Sequence, residues 1–164
     1  MAQFGLQGNI AKQQRWRGRA ILDEADSTLA SNTRGTLTFA HAGKNSRVSQ
    51  FFINFGDNSR LDRENFPPLG VVIERGMEVV DALHVTGEGA PSGKGPSQGL
   101  ITSKGDAYLN QSFPELSRIV SARLRPAPRR DSPTKPVPLL AELVLSEAEA
   151  ASSHTVLERN RSWT

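Results

Sequence analysis

The chain contains no cysteine. Disulfide bonds, thiolate metal sites and cysteine nucleophiles are therefore excluded, while the redox environment stays open. Aromatic residues are sparse, at 6% of 164 residues, and most of them are Phe. No apolar run approaches the ~20 residues that a membrane-spanning helix requires. The opening MAQFGLQGN lacks the basic and apolar regions of a secretory leader. A cytoplasmic location is thus the default expectation, and no membrane partner is expected. Charge of one sign is not concentrated either: 20 Lys and Arg are interspersed with 17 Asp and Glu, for a net +3. Nucleic-acid binders gather basic charge into a stripe, so this basicity reads as solvated surface with no nucleic-acid partner.

What the chain does have is turn chemistry, with 14 Gly and 10 Pro, which suits a loop-rich β architecture better than a helical bundle. Its length fits one domain. MAQFGLQGN reads as a strand entering a loop, and residues 9–34 form a long polar connection with no sustained period. GTLTFAHAG (35–43) alternates, and a short polar loop joins it to SQFFINF (49–55), which predicts an antiparallel hairpin. LGVVI (69–73) predicts a strand and GMEVVDAL (76–83) a short amphipathic helix. Further strands are expected near LIT (100–102) and at 117–124. After Leu124 the composition changes: five of the fourteen residues 125–138 are Pro, which favours an exposed, extended tail. The apolar stripe Leu139, Leu140, Leu143 and Val144 predicts a short helix over 139–152, with the rest of 125–164 disordered.

SQFFINF poses the functional question. On a strand, Phe51, Ile53 and Phe55 share one face and are expected in the core. The other face carries Gln50, Phe52 and Asn54. Two amides around an aromatic suit the floor of a peptide groove, where Phe52 is a platform and Gln50 offers a donor and an acceptor. A half-exposed strand with one stray aromatic fits the same pattern, and the pattern alone leaves both open.

Other clusters carry less. His41, His84 and His154 lie far apart in sequence and give no metal-ligand spacing. Asp57, Asp62 and Glu64 sit among Gly, Asn and Pro and read as turn formers rather than an acid–base pair. GEGAPSGKG lacks the spacing of a phosphate loop. Trp16 reads as an anchor for the long polar connection.

The succession GTLTFAHAGKNSRVSQFFINF, then LD, then GVVIERGMEVVD, resembles the central block of the cyclophilins, which are peptidyl-prolyl cis-trans isomerases. The resemblance covers residues 1–124, weakly over 9–34 and strongly over 35–83. It implies a mainly β protein, an antiparallel β-barrel with short helices, acting as a monomer on proline-containing peptides or unfolded proteins to assist folding. It also implies site residues. Met1 and Gln3 match the groove Met and Gln of the family, with Gln3 in a catalytic role. Ala40 and His41 match a pair whose backbone holds the substrate, and Gln50 matches the groove amide. Phe52 and Leu61 match the walls of the proline pocket, and Phe66 (or Asn65) falls where many members have a His. No nucleophile, metal or cofactor is required.

The resemblance also has gaps. The family's catalytic Arg lies a few residues before the Met that matches Met1, so the chain as written is expected to lack that Arg, the N-terminal strands and the first helix. Arg47 and Arg60 are the nearby alternatives, and both read as solvated loop residues. Arg60 also stands where many cyclophilins have a Trp associated with cyclosporin binding, so weak cyclosporin sensitivity is expected. A rival expectation follows: a prolyl-peptide binding module with weak or no catalysis.

Overall fold

The computed structural model describes residues 1–24, 30–73, 75–126, 139–146 and 154–159. Its elements run β1 (Ala2–Phe4), α1 (Ile10–Trp16), β2 (Thr36–Phe39), β3 (Phe51–Ile53), a 3-10 helix (Ser59–Glu64), β4 (Pro68–Val72), α2 (Gly76–Asp81), α3 (Gln98–Ser112), β5 (Arg118–Pro126), β6 (Leu139–Ser146) and β7 (His154–Arg159). The strands form one seven-stranded sheet in the order β1-β3-β2-β4-β7-β6-β5. Every neighbouring pair in it is antiparallel. Among the described residues no ladder joins β1 to β5, so the expected barrel is seen as an antiparallel sheet with helices rather than as a closed cylinder.

The expected hairpin forms between β2 and β3, with Leu37 opposite Ile53 and Phe39 opposite Phe51. β1 adds to the other edge of β3, placing Ala2 opposite Ile53, Gln3 opposite Phe52 and Phe4 opposite Phe51. Strand alternation then divides the side chains. Leu37 and Ile53 bury against Val80 of α2, with Ala2, Phe4, Phe51, Leu69, Val72, Met77 and Leu83 around them. The Phe51 ring packs 4.3 Å from Phe39 and 5.9 Å from Phe4, centroid to centroid. Phe55, expected in this core, is 38% exposed instead. It lies beyond the end of β3, where its carbonyl accepts from Arg34 Nη1 at 2.7 Å. Arg34 also forks onto Asp81 at the end of α2, tying that helix to the sheet.

The polar connection from β1 to β2 contains a helix that no periodicity announced. Asn9 caps α1 by accepting from the Lys12 N–H at 3.0 Å, the usual service of an Asn at this position. Trp16, expected to anchor the connection, closes α1 with 46% of its surface exposed. The strand expected near 100–102 is also corrected. Those residues lie in α3, which starts from the Ser97 cap and buries Ile101, Gly105 and Leu109 at four-residue intervals. The helical period, carried by a glycine at its centre, overrode the β-leaning Ile101 and Thr102. Gly105 kinks the helix at φ 56°, and a Cβ there would sit 2.1 Å from the Gly8 carbonyl oxygen. Only glycine allows α3 to lie against the turn after β1.

Residues 139–146, expected as the start of a helix, form β6 between β5 and β7. Leu, Val and Ala are compatible with either state, and the ladder from Arg118 to Pro126 supplies the backbone partners that settle it. The remainder of that expected helix, 147–152, lies outside the described residues, as do 127–138 and 160–164. Within the part expected to be disordered, 154–159 form β7.

One buried polar cluster holds the 3-10 helix to the sheet. Asn32 and Asn54 are both 0% exposed. Asn32 Nδ2 donates to Asp62 Oδ1 and to the Phe66 carbonyl, each at 2.7 Å. Asn32 Oδ1 accepts from Thr38 Oγ1 at 2.8 Å and from Asn54 Nδ2 at 3.1 Å. All four bonds that an asparagine side chain can make are therefore made. Asn54 also donates to Thr36 Oγ1 and accepts from Asn58 Nδ2. Asn54, which either reading of the strand pattern leaves on an outer face beside Phe52, belongs to this interior lattice.

Asp62 closes the cluster. Burial on its own would raise its carboxyl pKa, but hydrogen bonds from Ser31, the Asn32 side chain and the Asn32 N–H outweigh that and hold it below the ordinary carboxylate range. A carboxylate with a depressed folded-state pKa contributes stability above its unfolded pKa of about 3.9, and that contribution is lost as pH falls through the folded value. The urea midpoint should hold steady from this source between pH 5 and 7 and drop below about pH 4, and Asp62→Asn should remove part of that acid-dependent drop. Asn32→Ala strips partners from four groups at once and should lower stability by at least ~2 kcal/mol in urea melts followed by circular dichroism.

Candidate functional site

The opposite face of the β1–β3–β2 sheet carries Gln3, Phe52 and Thr38 in one cross-strand row. Phe52 is 2% exposed, too buried to be a stray aromatic. The Phe66 ring meets it edge-on, at 5.9 Å and 66°. Leu61, on the 3-10 helix, is also buried, at 6%. Its carbonyl accepts from the Phe66 N–H at 3.3 Å, which folds Phe66 back beside it. Asn65, between them, takes the left-handed conformation at φ 62° that an asparagine tolerates. The expected pocket residues Phe52, Leu61 and Phe66 are thus assembled by one tight turn, which the Asn32–Asp62 cluster pins to the sheet.

The polar edge is built from amides. Gln3 Nε2 donates to Gln50 Oε1 at 2.9 Å, across 47 positions of sequence. Gln50 Nε2 donates in turn to Gln98 Oε1 at 3.2 Å. Each –NH2 group has two hydrogens, so Gln3 and Gln50 each retain one donor after these bonds. Gln3 is exposed and Gln50 half-buried, which leaves both accessible to a ligand. The Gln50 carbonyl accepts from the Ala40 N–H at 2.9 Å, so the backbone of Ala40 and His41 leaves the sheet beside the amide edge. Met1 stands just before β1, 45% exposed.

His41 reaches the pocket by its side chain as well. Its ring stacks on Phe66 at 3.9 Å and 17°. Nε2 lies 3.0 Å from the Asn65 carbonyl oxygen, and Nδ1 accepts from the Gly43 N–H at 3.1 Å.

Neither loop arginine is offered to this face. Arg47, read as solvated, is 4% exposed. Its Nη1 pairs with Glu24 at 2.7 Å, its Nε lies 3.2 Å from Asp23 Oδ1, and its Nη2 donates to the Leu22 carbonyl. The guanidinium also sits 5.8 Å from the Phe39 ring centroid. It was misread because the acids that draw it inward lie more than twenty residues away. Arg60 is exposed, as expected, and pairs one helical turn on with Glu64 at 3.7 Å.

Sequence reasoning missed three contributors. Asn32 lies in a polar stretch with no local signal of its burial. Asp62, read as a turn former, is the acceptor that organises the cluster. Gln98 follows the Ser97 cap, a signal that would have placed α3 but not its contact with Gln50. Among the described residues no group of three or more His, Asp and Glu is placed to hold a metal ion, and no helix is long and apolar enough to cross a membrane. A separate shallow pocket of about 140 Å3, lined by residues such as His84, Phe113 and Glu115, uses none of the residues above.

Comparison with known proteins places the chain in a family. "Peptidyl-prolyl cis-trans isomerase-like 3" of Homo sapiens is 38% identical over 66 residues, which is 40% of this chain and 40% of the relative. The protein of the same name from Dictyostelium discoideum is 39% identical over 68 residues, 42% of this chain and 40% of the relative. "Peptidyl-prolyl cis-trans isomerase-like 2" of Gibberella zeae is 40% identical over 57 residues, 35% of this chain and 10% of the relative. The chain thus spans well under half the length of these curated relatives. No solved structure matches it significantly. The family model described as "Cyclophilin type peptidyl-prolyl cis-trans isomerase/CLD" matches residues 1–102, more than half of the chain. The protein belongs to the cyclophilin-type peptidyl-prolyl cis-trans isomerase family.

Proposed function

We propose that the chain binds X-Pro segments of peptides or unfolded proteins across the Gln3–Phe52–Thr38 face and catalyses their cis-trans isomerisation. The observation that carries this reading is the adjacency of an apolar cluster (Phe52, Leu61 and Phe66) to the hydrogen-bonded amides of Gln3 and Gln50. The prolyl ring fits the first and the flanking carbonyls the second.

The barrier is the loss of amide resonance, roughly 18–20 kcal/mol for rotation about the peptide bond. Phe52, Leu61 and Phe66, with Met1 at the rim, grip the pyrrolidine ring. Gln3 and Gln50 direct their remaining N–H groups to the carbonyls on either side. The backbone of Ala40 and His41 holds the chain that follows. A peptide held at both ends is bound better when twisted than in either planar form, which lowers the barrier by differential binding. The less polar surroundings of Phe52 also weaken amide resonance, which favours the planar ground state. No step requires a metal, cofactor or covalent intermediate.

A second reading is a prolyl-peptide binding module with little catalysis. It is favoured by the engagement of Arg47 with Asp23 and Glu24 and of Arg60 with Glu64, which leaves neither guanidinium aimed at a prolyl nitrogen. A preorganised donor at a developing charge is worth about a hundredfold or more in rate.

Exchange NMR on an Ala-Pro peptide separates the two. Isomerase action makes cis-trans exchange faster in the presence of the protein. Peptide shifts without faster exchange would leave the binding module, and neither effect would sink both readings. Gln50→Ala removes an amide that touches the substrate but lies outside the core, so it should lower kcat/KM by about tenfold while the fold persists.

A further inference from the structure

We propose that the His41 side chain is a positioning residue that clasps Phe66 and thereby sets one wall of the prolyl pocket, a role that rests on the groove function proposed above. Phe66 is held from two sides. Its carbonyl accepts from Asn32 Nδ2 at 2.7 Å, which fixes the backbone but leaves the ring to be oriented by something else. The His41 ring lies nearly parallel to it at 3.9 Å, and Phe66 in turn presents itself edge-on to Phe52. His41, Phe66 and Phe52 form a run of ring contacts, the first stacked and the second edge-on.

The hydrogen bonds at the two imidazole nitrogens fix how the His41 ring sits. The Gly43 N–H can only donate, so Nδ1 must be the unprotonated nitrogen. Nε2 therefore carries the proton and donates it to the Asn65 carbonyl. That carbonyl belongs to the left-handed residue immediately before Phe66, so holding it restrains the turn that aims the Phe66 ring. The Gly43 side is rigid as well. Ser46 Oγ accepts from the Ala42 N–H at 2.9 Å and donates to the Gly43 carbonyl at 2.6 Å, closing residues 42–46 into a tight loop.

Protonation affects the two sides differently. A proton on Nδ1 would face the Gly43 N–H and end that bond. The Nε2 bond to Asn65 would become charge-assisted, and a cationic ring over Phe66 remains favourable. The charged groups on the packed elements are Lys44 in the loop and Arg60, Asp62, Arg63 and Glu64 on the 3-10 helix. Asp62 is committed to Ser31 and Asn32, and Arg60 pairs with Glu64. A proton on Nδ1 should therefore free the 42–46 loop while the Nε2 bond to Asn65 holds.

The test combines three measurements on the full chain. Nitrogen-15 NMR of wild-type His41 near pH 8 should show the Nε2–H tautomer, and the Nδ1–H form would overturn the clasp. Across the His41 titration the Gly43 amide should shift strongly and the Phe66 amide weakly; the reverse pattern overturns it too. Titration with an Ala-Pro peptide should give a Kd raised about tenfold by His41→Ala, whereas His41→Phe, which keeps a stacking ring, should stay within about threefold of wild type. Equal affinity in folded His41→Ala overturns the clasp alone, and an equal loss in His41→Phe overturns the stacking basis. Failure of the wild type to bind overturns the groove reading. In that case Phe66 ring shifts that are the same in wild type and His41→Ala overturn the clasp separately.

Discussion

The structure turns on the side chain of Asn32, a neutral amide with no exposure and all four hydrogen bonds satisfied. It joins the β2–β3 hairpin, through Thr38 and Asn54, to the 3-10 turn, through Asp62 and Phe66. A buried polar network of this kind is favourable only when every member is paired, because each orphaned group would bear its full desolvation cost. The same completeness makes it specific. Asp62 must face Asn32 for the bonds to close, and that orientation places Leu61 inward and sends Phe66 back over Phe52. The apolar group of Phe52, Leu61 and Phe66 is thus positioned by polar atoms.

The candidate site is two systems back to back. One face of β3 supplies Ile53 and Phe51 to the apolar core against α2; the other carries Phe52 toward Phe66, with Gln50, just before the strand, at the amide edge. Strand alternation lets adjacent residues serve opposite purposes, since a shift of one position would exchange every side chain between faces. The two outer strands lock the register: Ile53 lies opposite both Leu37 and Ala2, and Phe52 opposite both Thr38 and Gln3. The central strand of the candidate site is thus paired on both sides.

Much of this was legible in the sequence wherever the pattern was local. The hairpin, β4, α2 and β5 follow from alternation, helical spacing and turn residues, and the SQFFI block with the later LD points to the family. That resemblance gives Phe52 and Leu61 as walls of a proline pocket, and the structure buries both. What stayed hidden depends on partners far along the chain. Asn54 looks like a surface amide until Asn32 and Thr36 are beside it. Arg47 looks solvated until Asp23 and Glu24 are folded over it. Residues 139–146 look helical until β5 offers a ladder, and Phe55 looks like core because nothing local says that β3 ends at Ile53. Gly105 carries no local sign that it is the residue that brings α3 against the turn after β1.

That last contact has a consequence for how the molecule comes apart. Gly105 meets Gly8 backbone to backbone, and the Asp106 N–H donates to the Gly8 carbonyl at 2.9 Å. The hydrogen bond of this junction joins backbone atoms that do not titrate, although the Asp106 carboxylate lies against Gly8 and pairs with Arg118 at 2.7 Å; the bracing of the 59–66 turn runs through the Asp62 carboxylate itself. Acid therefore acts on the two unequally. Loss of the Asp62 charge loosens the turn bearing Leu61 and Phe66, while the backbone bond from Asp106 to Gly8 is left in place. Local opening should follow that hierarchy, with the pocket walls in the least protected cooperative unit and the strand beneath them in a more durable one.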